Sequence, residues 1–412
     1  MLNSENLCLD SFNNALTQLS DKLLKSKNII IKGAPGTGKT YLSKELAAHI
    51  VTKGQKSYSS LSSSEMDHID FVQFSPNYDY SDFIEGLSPI KSKNGSMQFE
   101  LKCGSFKKFI YLSQRINDEL SHLLEEYLMH ENFSLGDESF KVKKIDDANI
   151  YCYKGNQRKL ITIPIRDFKN SFCSNMSFTS VTTLRKFLNR ADTAVSCLFQ
   201  IVNNLNNIDK NNCNNKVKEL LKKLDELRNE KYVFIIDEIN RGNISKIFGE
   251  IFFSIDPGYR GPAGAVLTQY ANLNKNRKLF IPEYMYIIGT LNTIDHTVET
   301  LDFAIRRRFR FIEIKTDLDD PITNHILNLI DESKRETARK QMSCLNNAII
   351  RIPTLNRNHQ IGASYFLKLN KITPEELWND YLLPIIEQYT QGITNKNHVI
   401  FQLHNAFLEP LK

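Results

Sequence analysis

The chain has 412 residues, 41% of them hydrophobic and 24% charged, and 53 Lys and Arg against 47 Asp and Glu leave a net charge of +6. This balance excludes disorder as a global description, because disorder needs fewer apolar residues and a larger net charge. The length supports two to three domains with a large core. None of the seven cysteines forms a Cys-x-x-Cys pair, so they read as scattered reduced thiols of a cytoplasmic protein. The N-terminal stretch lacks the apolar segment of a signal peptide, and the longest apolar runs are strand-length. No membrane association is expected.

In chain order, residues 6–26 read as an amphipathic helix. Asn28–Ile31 is a buried strand, Gly33–Thr40 a glycine loop, and Tyr41–Ile50 has helical spacing. Ser57–Ser64 reads as a loop and Phe71–Phe74 as a second strand. From about 115 to 228 the texture changes. A helix over Leu120–Met129 is followed by short β-rich runs at Phe140–Lys144, Asn149–Tyr153 and Leu160–Pro164, with a turn at Lys154–Asn156. Helical spacing returns over Val181–Leu205, then come an Asn-rich loop, Asn203–Asn215, and a charged helix, Lys216–Asn229. Buried strands at Tyr232–Ile236 and Tyr284–Gly289 flank a helix, Ile244–Ile255, and a hairpin of Val266–Tyr270 against Lys278–Ile281. A strand at Phe309–Ile314 precedes a mostly helical 318–412. Alternating strands and helices predict an α/β fold with a parallel sheet. The expected divisions are an N-terminal helix at 1–27, a parallel-sheet core at 28–115 and 229–316, an α/β insertion at 116–228 and a helical region at 317–412.

The segment Gly33-Ala34-Pro35-Gly36-Thr37-Gly38-Lys39-Thr40 fits G-x-x-x-x-G-K-[ST] in full, between a strand and a helix that continues with Tyr41. Glycines let backbone N–H groups approach phosphate oxygens, and the helix adds its positive N-terminal end. Lys39 can reach the β- and γ-phosphates, and the Thr40 hydroxyl can hold Mg2+. Such a loop needs an acidic partner at the end of another buried strand, and Asp237-Glu238 after Tyr232–Ile236 supplies it. Asp237 is expected to serve the ion through water and Glu238 to polarise the attacking water. A third polar residue is expected at a strand tip between these two. Asn292 ends the run Tyr286-Ile-Ile-Gly-Thr-Leu, with Asp295 beyond it. Arg306-Arg307-Arg308 then form a cluster that packs poorly in a core and suits an arginine finger reaching a neighbouring subunit's γ-phosphate.

This order of motifs resembles the AAA+ ATPases, and its details resemble the McrB-type GTPases of modification-dependent restriction. The resemblance rests on Phe71–Gly86, Ile235-Ile-Asp-Glu-Ile-Asn-Arg-Gly-Asn-Ile-Ser-Lys246, Ile287-Ile-Gly-Thr-Leu-Asn-Thr-Ile-Asp295, Phe303-Ala-Ile-Arg-Arg-Arg-Phe309 and Gln360-Ile-Gly-Ala-Ser-Tyr-Phe366. It implies a P-loop AAA+ domain with a helical lid, a homo-hexameric ring, Mg2+ with GTP (or ATP), translocation of double-stranded DNA, and a separate McrC-type nuclease subunit. It assigns Glu238, Asn292, Asp295, Arg307 and Arg308 to catalysis, Thr40 and Asp237 to the metal, and Arg241 and Arg306 to the subunit interface. Departures are His296-Thr297 where the family has Arg-Ser, Ala363 where it often has His, and a single helix before the core where it often has a DNA reader. GTP rests on the resemblance alone, because Asn356-Arg357-Asn358 is not the N-K-x-D of guanine-specific sites.

The charge is uneven. Residues 139–231 hold 18 Lys and Arg against 9 Asp and Glu, so this segment carries +9 and the remainder −3. With Tyr151, Tyr153, Phe168, Phe172 and Phe178 interleaved, it could contact DNA phosphates and bases or dock the partner. Two loose D…E-x-K matches, Asp302 with Glu313-Ile-Lys315 and Asp320 with Glu332-Ser-Lys334, are rejected as a nuclease centre because the pattern has little specificity. Two other readings stand beside the restriction motor: an ATP-driven remodeller of a protein client, and a nucleotide-gated scaffold or DNA-binding adaptor with weak hydrolysis.

Overall fold

The computed structural model describes residues 2–91, 97–129, 133–135, 138–145, 149–154, 159–172, 178–207, 219, 230–274, 278–294 and 303–411. The strands, in chain order, are β1 (Asn28–Gly33), β2 (Ile69–Gln73), β3 (Glu85–Lys91), β4 (Met97–Cys103), β5 (Phe133–Leu135), β6 (Glu138–Ile145), β7 (Asn149–Lys154), β8 (Lys159–Pro164), β9 (Tyr232–Asp237), β10 (Met285–Asn292) and β11 (Arg310–Glu313).

Five of them form a parallel sheet in the order β11-β1-β10-β9-β2. The apolar runs Ile29–Ile31, Val233–Ile236 and Ile287–Ile288 are fully buried, as expected of parallel strands covered on both faces. The register runs from Asn28↔Ile287 to Gly33↔Asn292 between β1 and β10, and from Met285↔Tyr232 to Gly289↔Ile236 between β10 and β9. The carboxyl ends of β1, β10 and β9 therefore lie side by side, with β10 in the middle. In open α/β sheets this is where ligands bind.

The helices explain why the expected divisions 1–27, core and 317–412 do not separate. The N-terminal helix, Leu2–Ser26, starts earlier than expected and buries Phe12, Leu16, Leu19 and Leu23. The helix Lys39–Thr52 buries Leu42, Leu46 and Ala47. From the C-terminal region, Ile326, Met342, Leu345, Trp378 and Phe407 enter the same apolar cluster. One compact unit thus comprises 1–107, 231–260 and 266–412, and a second comprises 108–230 and 261–265. The insertion begins a few residues earlier than the expected 116 and ends within two residues of 228.

The second unit has its own core. Strands β5 to β8 form an antiparallel meander, with a bulge between Val142 and Lys144. The helices Ile165–Phe172, Val181–Leu188 and Thr193–Asn207 belong with it. The continuous spacing over 181–205 breaks at Asn189, which adopts a left-handed φ of 50°. Phe168 and Phe172 are buried and stacked at 5.4 Å, which removes them as base-stacking groups.

Two further expectations change. The hairpin at 266–281 reduces to a single bridge, Val266↔Leu279, and the helix Ile244–Ile255 is α-helical only to Phe248 before tightening into 3-10 turns from Gly249. An antiparallel hairpin of β3 and β4 was not foreseen, although Asn94-Gly95 in the sequence is a hairpin signal. Asp295, Asp302, Gly155-Asn156, most of the Asn-rich patch and nearly all of Lys216–Asn229 lie outside the described residues. Among the described residues no helix is long and apolar enough to cross a membrane.

Candidate nucleotide site

The loop Gly33–Thr40 leaves β1 and enters the helix Lys39–Thr52. Gly36 (φ 75°) and Gly38 (φ 82°) sit in the left-handed region, which glycine occupies without steric penalty. Lys39 is only 8% exposed. Its ammonium donates to the carbonyls of Gly33 at 3.0 Å and Ala34 at 2.9 Å. The Thr37 hydroxyl also donates to Ala34 O.

The carbonyls of Pro35 and Gly36 are taken by the lid. The N–H groups of Gly362 and Ser364 donate to them at 2.9 Å each. Asn346 grips Ile361 in both directions, and the Thr316 hydroxyl donates to Gln360. On the other side, the Tyr41 hydroxyl lies 3.2 Å from His325 Nε2, and His325 stacks on Phe12 at 3.8 Å. Burial pushes the Tyr41 phenol up to about 12 and the His325 imidazole below its ordinary value.

The chemistry converges at the tips of β9 and β10. Asp237 Oδ1 accepts the Thr40 hydroxyl at 2.9 Å and the Thr290 hydroxyl as well. Glu238 adopts φ 55°, ψ 43°, a conformation that costs a non-glycine residue about 1–2 kcal/mol and clusters at functional sites. This kink turns the chain out of the ladder and sets the Glu238 carboxylate beside Asn292, whose Nδ2 donates to Oε1 at 3.0 Å. Arg241 Nε is 2.5 Å from Oε2 of the same carboxylate. The structure therefore brings Thr40 to Asp237 and Asn292 to Glu238, with Lys39 beside Thr40 at the start of the helix. Arg241, expected at a subunit boundary, lies within the site as an ion pair with Glu238. Thr290 was missed; its signal was a hydroxyl two residues before Asn292, in Gly289-Thr290-Leu291-Asn292.

The arginines on the short helix Phe303–Arg308 divide. Arg306 and Arg307 are exposed. Arg308 turns back on its own chain, donating to Ala304 O at 3.0 Å and lying 4.3 Å over the Phe252 ring. Phe303 beside them is 91% exposed.

A parallel sheet with a phosphate loop after β1, an acidic pair after β9 and an amide at the tip of the intervening β10 defines a P-loop protein of the AAA+ class. Consistent with this, residues 171–309 match the family model for the AAA domain (dynein-related subfamily). The chain is 38% identical over 170 residues to the type IV methyl-directed restriction enzyme EcoKMcrB subunit of Escherichia coli (strain K12), covering 39% of this chain and 37% of that protein. It is 33% identical over 92 residues to the type II restriction enzyme BsuMI component YdiS of Bacillus subtilis (strain 168), covering 20% of this chain and 27% of that protein. The matched stretches thus span little more than a third of the first relative and little more than a quarter of the second. Its core has the α/β P-loop AAA+ fold, and the matched stretch is similar to the McrB subunit.

Proposed function

We propose that this chain hydrolyses a nucleoside triphosphate, GTP by likeness to the McrB subunit with ATP as the alternative, as the motor subunit of a restriction system. The observation that carries the reading is the placement of Asp237 and Glu238 between Thr40 and Asn292. The backbone of Gly33–Gly38 and the Lys39 ammonium suit the phosphates. The Thr40 hydroxyl and Asp237 carboxylate are hard oxygen donors that suit Mg2+, which takes its other ligands from phosphate and water. When bound, the ion neutralises charge on the phosphates. Glu238 accepts the proton of an attacking water, and Asn292 orients the glutamate through its amide.

Exposure of Arg307 and the packing of Arg308 over Phe252 support Arg307 over Arg308 as the finger. A trans finger calls for a ring, in this reading a homo-hexamer. Double-stranded DNA, an McrC-type nuclease partner and a cytoplasmic location complete the reading. Exposed Lys141, Lys143 and Lys144 on β6 suit DNA phosphates.

The test is phosphate release from GTP and ATP by the wild type and Glu238→Gln, with and without DNA. Glu238→Gln should keep nucleotide affinity within about threefold and lose about 100-fold or more in kcat, the range of a positioned acid–base group. A fully active Glu238→Gln, or a wild type that hydrolyses neither nucleotide, would refute the reading.

A further inference from the structure

We propose that Thr290 is a positioning residue that fixes the Asp237 carboxylate and the Glu238 backbone together through one hydroxyl. This rests on the hydrolysis reading above and adds to it the residue that holds the metal-side and water-side carboxylates in register.

The β9–β10 ladder ends at the pair Ile236↔Gly289. Beyond it the Glu238 N–H, which is partly buried, has no strand partner and needs another acceptor. Thr290 Oγ1 accepts it at 3.1 Å. The same oxygen carries the hydrogen donated to Asp237 Oδ1. Only a group that is donor and acceptor at once can do both, and a hydroxyl is such a group. Thr290 is 2% exposed, so bulk water cannot replace it.

Two consequences follow for the site. Asp237 Oδ1 is committed to two hydroxyls, those of Thr40 and Thr290. This fixes the rotation of the carboxylate and leaves Oδ2 to serve Mg2+ or its water. Glu238 is held at φ 55°, a conformation that persists only where the surroundings over-determine it. The Thr290 bond to its N–H is one such restraint, applied at the residue that carries the catalytic carboxylate. The phosphate loop makes no bond to Thr290, so phosphate binding and corner geometry are separable.

The experiment compares Thr290→Val, which keeps the shape and loses the hydroxyl, with Thr290→Ser, which keeps the hydroxyl. Binding of fluorescent mant-GTP and mant-ATP is titrated with Mg2+, and steady-state hydrolysis is measured in parallel. Thr290→Val should raise the half-saturating Mg2+ concentration about tenfold or more and lower kcat about 100-fold, the range for partners that orient metal ligands. Nucleotide affinity at saturating Mg2+ should stay within about threefold of wild type, and Thr290→Ser should stay within about threefold on every measure. Should the valine variant not fold, Thr290→Ala makes the same comparison. Wild-type Mg2+ dependence in Thr290→Val, or a Thr290→Ser as impaired as Thr290→Val, would overturn the proposal. If the wild type releases no phosphate, the hydrolysis reading fails, and the Mg2+ dependence of binding still decides the role of Thr290.

Discussion

Replacing Gly362 with alanine tests how the lid is coupled to the phosphate loop. A Cβ at Gly362 would lie 2.1 Å from Gly36 C, 2.2 Å from Gly36 O and 2.2 Å from Thr37 N. Ordinary contacts begin near 3.4 Å, so the two backbones would have to part by about 1 Å. Both bonds that join them, Gly362 N–H to Pro35 O and Ser364 N–H to Gly36 O, are 2.9 Å long. A shift of that size takes both outside hydrogen-bond range. At about 0.5–1.5 kcal/mol net for each bond, the loss is about 1–3 kcal/mol. Alanine accepts φ −79°, ψ 161° without strain and lowers the entropy of the unfolded chain, which offsets roughly 0.4–1 kcal/mol. Each remaining kcal/mol should lower the melting temperature by about 1–2 °C in a chain of this size, and affinity for a mant-nucleotide should weaken because Gly36 and Thr37 are displaced. Gly392→Ala is the control. Gly392 has φ 79° with open space around it, so alanine there costs about 1 kcal/mol in backbone strain and should leave nucleotide affinity unchanged. Unaltered melting and binding in Gly362→Ala, or equal binding losses in the two variants, would refute the argument.

Two other changes probe the fold around the site. Lys107 and Glu85 form an ion pair with 2% and 0% of their side chains exposed, and Glu85 also accepts the Tyr270 N–H. Lys107→Met strands a buried carboxylate and should cost about 3–5 kcal/mol in urea unfolding, part of which returns in the double variant with Glu85→Gln; a loss below about 1 kcal/mol would contradict this. His325 has its pKa lowered from 6.5 by burial, so below that value the unfolded chain binds more protons than the folded one. The stability it contributes is complete above pH 6.5 and is lost as the pH falls through the lower folded value. His325→Phe keeps a ring on Phe12 and should flatten the decline in melting temperature between about pH 7.5 and pH 5.5. His49, also lowered by burial, leaves a residual slope, and an identical decline in variant and wild type would exclude His325 as a contributor.

Much of the sheet and site was legible because period and motif carry it. Apolar runs of three to five residues bounded by Gly or polar residues marked β1, β9 and β10. The expectation of an amide strand between the other two is met by a β10 paired to both neighbours. The β3–β4 hairpin escaped because its residues do not alternate cleanly: Leu87 and Phe99 are exposed and Glu85 is buried, the reverse of the usual pattern. The joining of the N-terminal helix and the C-terminal region in one cluster was not legible for a related reason. Helical spacing shows that a helix has an apolar face, but not which other face it meets. Phe12 and Phe407 lie nearly 400 residues apart and join one cluster.

The arginine cluster shows the same boundary at the scale of side chains. Adjacent residues on a helix point about 100° apart, so spacing alone cannot say which of Arg306, Arg307 and Arg308 faces outward. The aromatic ring of Phe252 decides it. An arginine lying 4.3 Å over that ring gains a cation–π contact and a bond to Ala304 O that would both be given up on reaching across to a neighbour. Arg307 is exposed instead. If a neighbouring copy is completed by this cluster, Arg307→Ala should abolish stimulation of hydrolysis by rising protein concentration while leaving nucleotide affinity of the isolated chain intact. Arg308→Ala should instead lower thermal stability, through the lost packing on Phe252. An Arg308→Ala variant that melts like wild type yet loses the concentration dependence would reverse the assignment.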